Sequence, residues 1–252
     1  MRILGAVVAV VMLTGCAAER KHAPGEGAWV ESGFVMREVE RDGARLPYVM
    51  YVPEAYWADS GKRWPLIVFL HGRGECGTDG LRQMSQGLMQ AVQRQPERWQ
   101  AIIVAPQKPD MNKQWADYDG LVMAMVDETM RAVRVDRSRV ALTGLSQGGA
   151  GTWAIGASHP EVWSRLAPVC GYGDPGMVAA RIIDTPVWAF HGDMDDVVLP
   201  QQTRAMVAAI EAEAEKAGVE PQARMTIYPG VNHGSWDRAY GEAELAAWLV
   251  GG

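Results

Sequence analysis

The chain has 252 residues, 48% of them hydrophobic, enough to bury one substantial core and of a size common for a single α/β domain. Lysine and arginine number 24 against 30 acidic residues, a net charge of -6, and no basic run is suited to a phosphate backbone; this argues against nucleic acid as a partner. The three cysteines, Cys16, Cys76 and Cys170, are too few and too scattered for a zinc site.

The N-terminus reads as a targeting segment. Arg2 supplies the positive start, "ILGAVVAVVML" falls short of the about 20 residues of a comfortable membrane span, and "LTGC" then closes on Cys16. With Gly15 directly before the cysteine and Leu13 three before it, the stretch resembles a bacterial lipobox. The resemblance implies cleavage before Cys16, lipid attachment to its thiol, and a location in the bacterial cell envelope facing the periplasm or the exterior. An ordinary signal peptide that happens to carry a cysteine is the plainer alternative. The expected organisation is a signal peptide over 1–15, a tether of small, charged and turn residues over 16–28, and one folded domain over 29–252.

"FVMREVE" and "LPYVMYVP" alternate like two strands, with a turn at Asp42 and Gly43 between them, and predict a hairpin. "PLIVFLHG" and "AIIVAP" are continuous apolar runs, as in strands covered on both faces, and "VALTGLS", "SRLAPVCG", "PVWAFHG" and "ARMTIYPG" repeat the type. Helical spacing of apolar residues recurs over 83–94, 118–133, 147–158, 201–216 and 241–250. This alternation predicts an α/β fold with a mostly parallel sheet between helical layers.

In "SRVALTGLSQGGAGTWAIG" a strand runs into Gly144, Leu145, Ser146, Gln147 and Gly148 and then into a helix of small residues. That is the setting of a nucleophile elbow, in which a tight turn thrusts a serine hydroxyl out at the carboxyl end of a strand and only small neighbours let the turn form. Gln147 opens the helix, so its backbone N–H points where an oxyanion forms. A general base must follow. His22 lies in the tether and His159 beyond the elbow helix, both expected to be solvated, while His71 and His191 end buried strands, where their rings are expected to brace turns. His233, in "YPGVNHGSWD" after the last strand, is placed to take the serine proton. "AFHGDMDDVVLP" offers Asp193, Asp195 and Asp196 as the carboxylate that orients it.

"FLHGRGECGTD", "GLSQGGAGTW", "FHGDMDDVVLP" and "YPGVNHGSWD" resemble the four signature regions of the α/β-hydrolase superfamily. Within it they are most similar to secreted bacterial carboxylesterases, dienelactone hydrolases and polyhydroxybutyrate-depolymerase-like esterases, from Phe34 to the C-terminus. The resemblance implies an α/β-hydrolase fold and cleavage of carboxylic esters by Ser146, Asp195 and His233. It assigns oxyanion donors to the backbone N–H groups of Arg73 and Gln147, and calls for no cofactor or metal. Asp195 is selected by the group's "HGDxD" pattern, with Asp193 left to an Asx-type turn and Asp196 to solvent. Peptidase or thioesterase activity with the same residues is the alternative within catalysis, and a non-catalytic binding lipoprotein the alternative outside it.

The chain departs from the group in one loop, where "GECG" replaces "GERG" and puts Cys76 near the site. Cys76 and Cys170 both follow strand ends on that side, and either a disulfide or two free thiols is open. Glu75, Trp115 and Trp236 are candidate substrate contacts, although for the tryptophans core or rim packing is the plainer expectation. "GYGDPGMVAARIIDT" is too short for a large lid, and an open cleft suits small or medium esters, or polymer ends, better than interfacially gated lipids.

Overall fold

The computed structural model describes residues 32–251, so the expected signal peptide and tether, with Cys16 and His22, lie outside the described residues. Two strands open the domain, β1 (Gly33–Arg41) and β2 (Ala44–Val52), and form the expected antiparallel hairpin. Asp42 and Gly43 both take positive φ, 53° and 77°, which gives the turn the twist that a two-residue hairpin needs.

The remaining strands are β3 (Trp64–Leu70), β4 (Ile102–Pro106), β5 (Val135–Leu145), β6 (Arg165–Val169), β7 (Val187–Gly192) and β8 (Ala223–Tyr228). They join the hairpin in one sheet of order β1-β2-β4-β3-β5-β6-β7-β8. Pairing is parallel from β4 through β3 and β5 to β8, and antiparallel only where β2 meets β1 and β4.

The helices are α1 (Gly87–Arg94), α2 (Asp119–Ala132), α3 (Gln147–Ser158), α4 (Pro175–Val178), α5 (Gln201–Ala217), α6 (Trp236–Ala239) and α7 (Ala243–Leu249). Successive strand residues point to opposite faces, so a strand buried on both sides needs apolar residues throughout, and β3 shows why. Its Leu66, Val68 and Leu70 pack with α2, α3 and α5 in one core, while Ile67 and Phe69 pack with α1 and α7 in the other. The first helix is shorter than expected: residues 82–84 form a separate turn, and Gly87 begins α1 at a φ of 63°. The segment between β6 and β7 holds only α4 and one further turn, so no large lid covers the sheet there. Among the described residues no helix is long and apolar enough to cross a membrane.

Parallel pairing has a direct consequence for function. The carboxyl ends of β3, β5, β6, β7 and β8 lie along one edge of the sheet, which delivers His71, Ser146, Cys170, Asp193 and the loop after Tyr228 to a single side.

Candidate active site

Ser146 sits between β5 and α3 with φ 54° and ψ -116°, a strained conformation that an L-residue holds only when its surroundings enforce it. The enforcement is visible on both sides. Its N–H donates to the Val169 carbonyl at 2.9 Å, and its own carbonyl accepts from Ala150 N–H at 2.9 Å. The small residues around it are needed for close approach: a Cβ on Gly148 would lie 1.9 Å from the Leu70 carbonyl oxygen, and one on Gly144 would lie 2.5 Å from the Gly148 oxygen.

The loop after β8 carries His233 across to this serine. Its Nε2 accepts from Ser146 Oγ at 2.9 Å, and its Nδ1 donates to Asp195 Oδ2 at 2.7 Å. Asp195, buried in the loop after β7, also accepts Val197 and Val198 N–H on Oδ1, each at 2.9 Å. Burial pushes its carboxyl up, but the bonds from His233 and the two amides outweigh that and hold it below the usual carboxylate range. The structure thus brings together Ser146, His233 and Asp195, and leaves Asp196 exposed. Asp193 does not make the expected turn with its own neighbours; its Oδ1 accepts Gly230 N–H at 2.7 Å and ties the β7 loop to the β8 loop. The Asx-type turn belongs to Asp195 instead.

Of the four histidines other than His233, three lie within the described residues. His71 is a turn brace as expected: Nδ1 donates to the Gly72 carbonyl at 2.5 Å and Nε2 accepts Lys108 N–H at 3.1 Å. His191 does more than brace. Its Nε2 donates to the Val198 carbonyl at 2.8 Å and lies 3.1 Å from Asp195 Oδ2, while the Thr203 hydroxyl bonds Nδ1 at 2.8 Å. It supports the carboxylate from behind, a role the sequence signalled only through its spacing of four residues from Asp195. His159 is half-buried rather than free in solvent; its Nε2 bonds the Asp119 carboxylate at 2.9 Å, across a separation no local motif reveals.

Gln147 directly follows the serine and Arg73 lies in the turn after β3, and no hydrogen bond among the described residues claims the N–H of either. Gln147 Nε2 donates to the Met111 carbonyl at 3.2 Å, which holds the head of α3 to the loop after β4. The candidate substrate contacts divide. Trp236 is half-buried, its ring edge-on to His233 with centroids 5.4 Å apart. Glu75 and Trp115 face inward. Glu75 is 5% exposed and accepts from Gln86 Nε2, and burial raises its carboxyl above the usual range. Trp115 is fully buried, its Nε1 donating to the His71 carbonyl at 2.9 Å, because the loop after β4 tucks the indole against α3 rather than holding it over the serine. There it floors an apolar hollow of about 690 Å³ between α3 and α4.

Cys76 and Cys170 are both buried and free. Cys170 brings a ligand atom within 4.8 Å of others on Asp195 and His233. That set does not fit a metal: the imidazole and carboxylate are spent on each other and on Ser146 and the amides, and burial pushes the Cys170 thiol up to about 12, against the thiolate a metal requires.

Residues 175–251 match the prolyl oligopeptidase family. A Nocardia uniformis subsp. tsuyamanensis protein named as a candidate esterase, NocK, is 27% identical over 196 residues, covering 73% of this chain and 54% of that one. The crystal structure of a thermostable esterase superposes with a TM-score of 0.71 at 29% identity, over 86% of this chain and 62% of the other. Est1E from Butyrivibrio proteoclasticus superposes at 0.62 with 15% identity, over 86% of this chain and 99% of its own, and shares the fold. The chain therefore spans about half of NocK and less than two thirds of the thermostable esterase. The parallel sheet with its hairpin edge, the strained strand-to-helix turn and these likenesses lead to one conclusion: the chain has the α/β-hydrolase fold and is similar to esterases built on it.

Proposed function

We propose that this chain is a serine hydrolase of carboxylic esters that works through an acyl-enzyme intermediate. Ser146 Oγ attacks the ester carbonyl while His233 Nε2 takes its proton, then returns it to the departing alcohol. Asp195 holds Nδ1–H, sets the tautomer that leaves Nε2 free to accept, and stabilises the imidazolium. The N–H groups of Arg73 and Gln147 hold the tetrahedral oxyanion, and water, activated by the same imidazole, releases the acid. The single observation that carries this reading is the continuous line from Ser146 Oγ to His233 at 2.9 Å and from His233 to Asp195 at 2.7 Å, starting from a strained serine.

The experiment is labelling and turnover on the purified domain. A fluorophosphonate probe should label the parent and p-nitrophenyl esters should be hydrolysed, and Ser146→Ala should abolish both. Undiminished labelling of Ser146→Ala would move the nucleophile elsewhere. Peptide bonds are the second reading, favoured by the match of residues 175–251 to prolyl oligopeptidases, since the same groups cut either acyl linkage. A panel of esters, lactones, thioesters and peptidyl amides separates them: preference for amides in kcat/KM would replace the ester assignment.

The proposal extends to the N-terminus, where "LTGC" supports cleavage before Cys16 and a lipid anchor in the cell envelope. Cys16→Ser should release the protein from the membrane fraction. Retention of that variant would require another anchor.

A further inference from the structure

The mechanism leaves a buried lysine unused. Lys108 is fully buried, and no carboxylate pairs with its ammonium among the described residues. Nζ donates instead to the Asp110 and Lys113 carbonyls, each at 2.8 Å, and to Cys76 Sγ at 3.2 Å. An ammonium withdrawn from water without a countercharge is costly and persists only when its hydrogen bonds are complete. Here three donors meet three acceptors on two loops.

Those loops follow β3 and β4, at the same end of the sheet as Ser146. One is the segment 71–77, which contains Arg73. Lys108 grips it three times: Lys108 N–H donates to His71 Nε2 at 3.1 Å, its carbonyl accepts Gly77 N–H at 3.1 Å, and its ammonium reaches Cys76. The other is the segment 109–114, whose Met111 carbonyl accepts from Gln147 Nε2. The same buried cation is thus bonded both to the loop that carries Arg73 and to the loop that holds Gln147, and Cys76 supplies one of its acceptors.

We propose that Lys108 is the positioning residue of the oxyanion hole, its ammonium pinning the Arg73 loop to the loop that steadies Gln147. The proposal rests on the ester-hydrolase reading above. Lys108 touches no substrate; it acts by keeping two N–H groups aimed at one point, where a displacement of an ångström is felt in the transition state far more than in the ground state.

The test uses the full chain and the variant Lys108→Met, which keeps an unbranched side chain and removes all three side-chain bonds. For a p-nitrophenyl ester, kcat should fall about 10- to 10²-fold with KM changed less than about threefold. Affinity for an alkylboronic acid, which forms a tetrahedral anion on Ser146, should fall in step with kcat. A merely structural lysine would lower thermal stability while leaving kcat and boronate affinity of the folded protein at parental values, and that result overturns the proposal. Should Lys108→Met not fold, the pair Cys76→Ser and Cys76→Ala carries the test. The hydroxyl still accepts from the ammonium and the methyl does not, so kcat and boronate affinity should be higher in Cys76→Ser than in Cys76→Ala; equal values overturn it. Failure of the underlying reading is distinguishable, because it appears in the parent as the absence of Ser146-dependent ester turnover.

Discussion

Gly148→Ala adds a single methyl group at the point where the elbow helix crosses β3. That methyl would start 1.9 Å from the Leu70 carbonyl oxygen and 2.7 Å from the His71 oxygen, where ordinary contact begins at 3.4 Å, so the helix and the strand must separate by about 1.5 Å along the shorter contact. Neither partner yields easily. Leu70 ends a strand paired on both sides, and α3 is wedged against β5 and β6, its first turn made largely of small residues. Forced overpacking of this kind costs about 1–3 kcal/mol. Because Gln147 N–H stands next to the intruding methyl, and misplacing a catalytic group by an ångström can cost about 10²-fold, kcat should drop by roughly that factor as well. Urea denaturation should show a lower midpoint with an unchanged slope, and ester turnover should fall in the same preparation. Gly74→Ala serves as the control for stability, since its methyl would meet nothing within 4 Å. A midpoint and kcat for Gly148→Ala equal to the parent's would refute the argument that small residues around Ser146 exist to let the helix and strand cross.

Asp195→Asn should keep the fold and lower kcat by up to about 10⁴-fold, because the amide favours the wrong tautomer of His233; near-normal turnover would show that another carboxylate does this work. Asp193→Asn should act through stability, by weakening the bond to Gly230 N–H, and Asp196→Asn should stay within about tenfold of the parent, readable as denaturation midpoint and kcat side by side. His71 gives a pH prediction: burial lowers it to about 4, against the bond to Gly72 and helped by the charge of Lys108, while the same side chain in the unfolded chain sits near 6.5. The unfolded state therefore gains a proton first on acidification, so the His71 contribution is full above about 6.5 and is lost as pH falls towards 4, by roughly 3 kcal/mol in all. NMR of the ring should show a neutral, Nδ1-protonated imidazole at pH 5.5, and a titration midpoint near 6.5 would sink this account.

Much of the fold was legible because it is written in short-range pattern. Continuous apolar runs alternating with helical spacing mean strands covered on both faces, and β3 shows both of its faces filled as that requires. The elbow was legible for a related reason: a strained serine can exist only among residues small enough for backbone to touch backbone, so Gly144 and Gly148 announce it locally. The order of the serine, the acidic loop and the last histidine along the chain was equally plain, since parallel strands bring their carboxyl ends to one edge.

The tertiary structure decided what depends on the path of loops between distant residues. The sequence presented Glu75 and Trp115 as possible walls of the cleft; the folded chain turns both inward, one onto Gln86 and the other onto the His71 carbonyl. It paired His159 with Asp119, set His191 behind Asp195, and buried Lys108 against Cys76. Only the pairing of His191 with Asp195 had any local trace. Backbone conformation is imposed by neighbours a few residues away and leaves its mark in composition and spacing, whereas a side-chain partnership across tens of residues depends on where two separate loops come to rest, which packing settles only once the whole domain has closed.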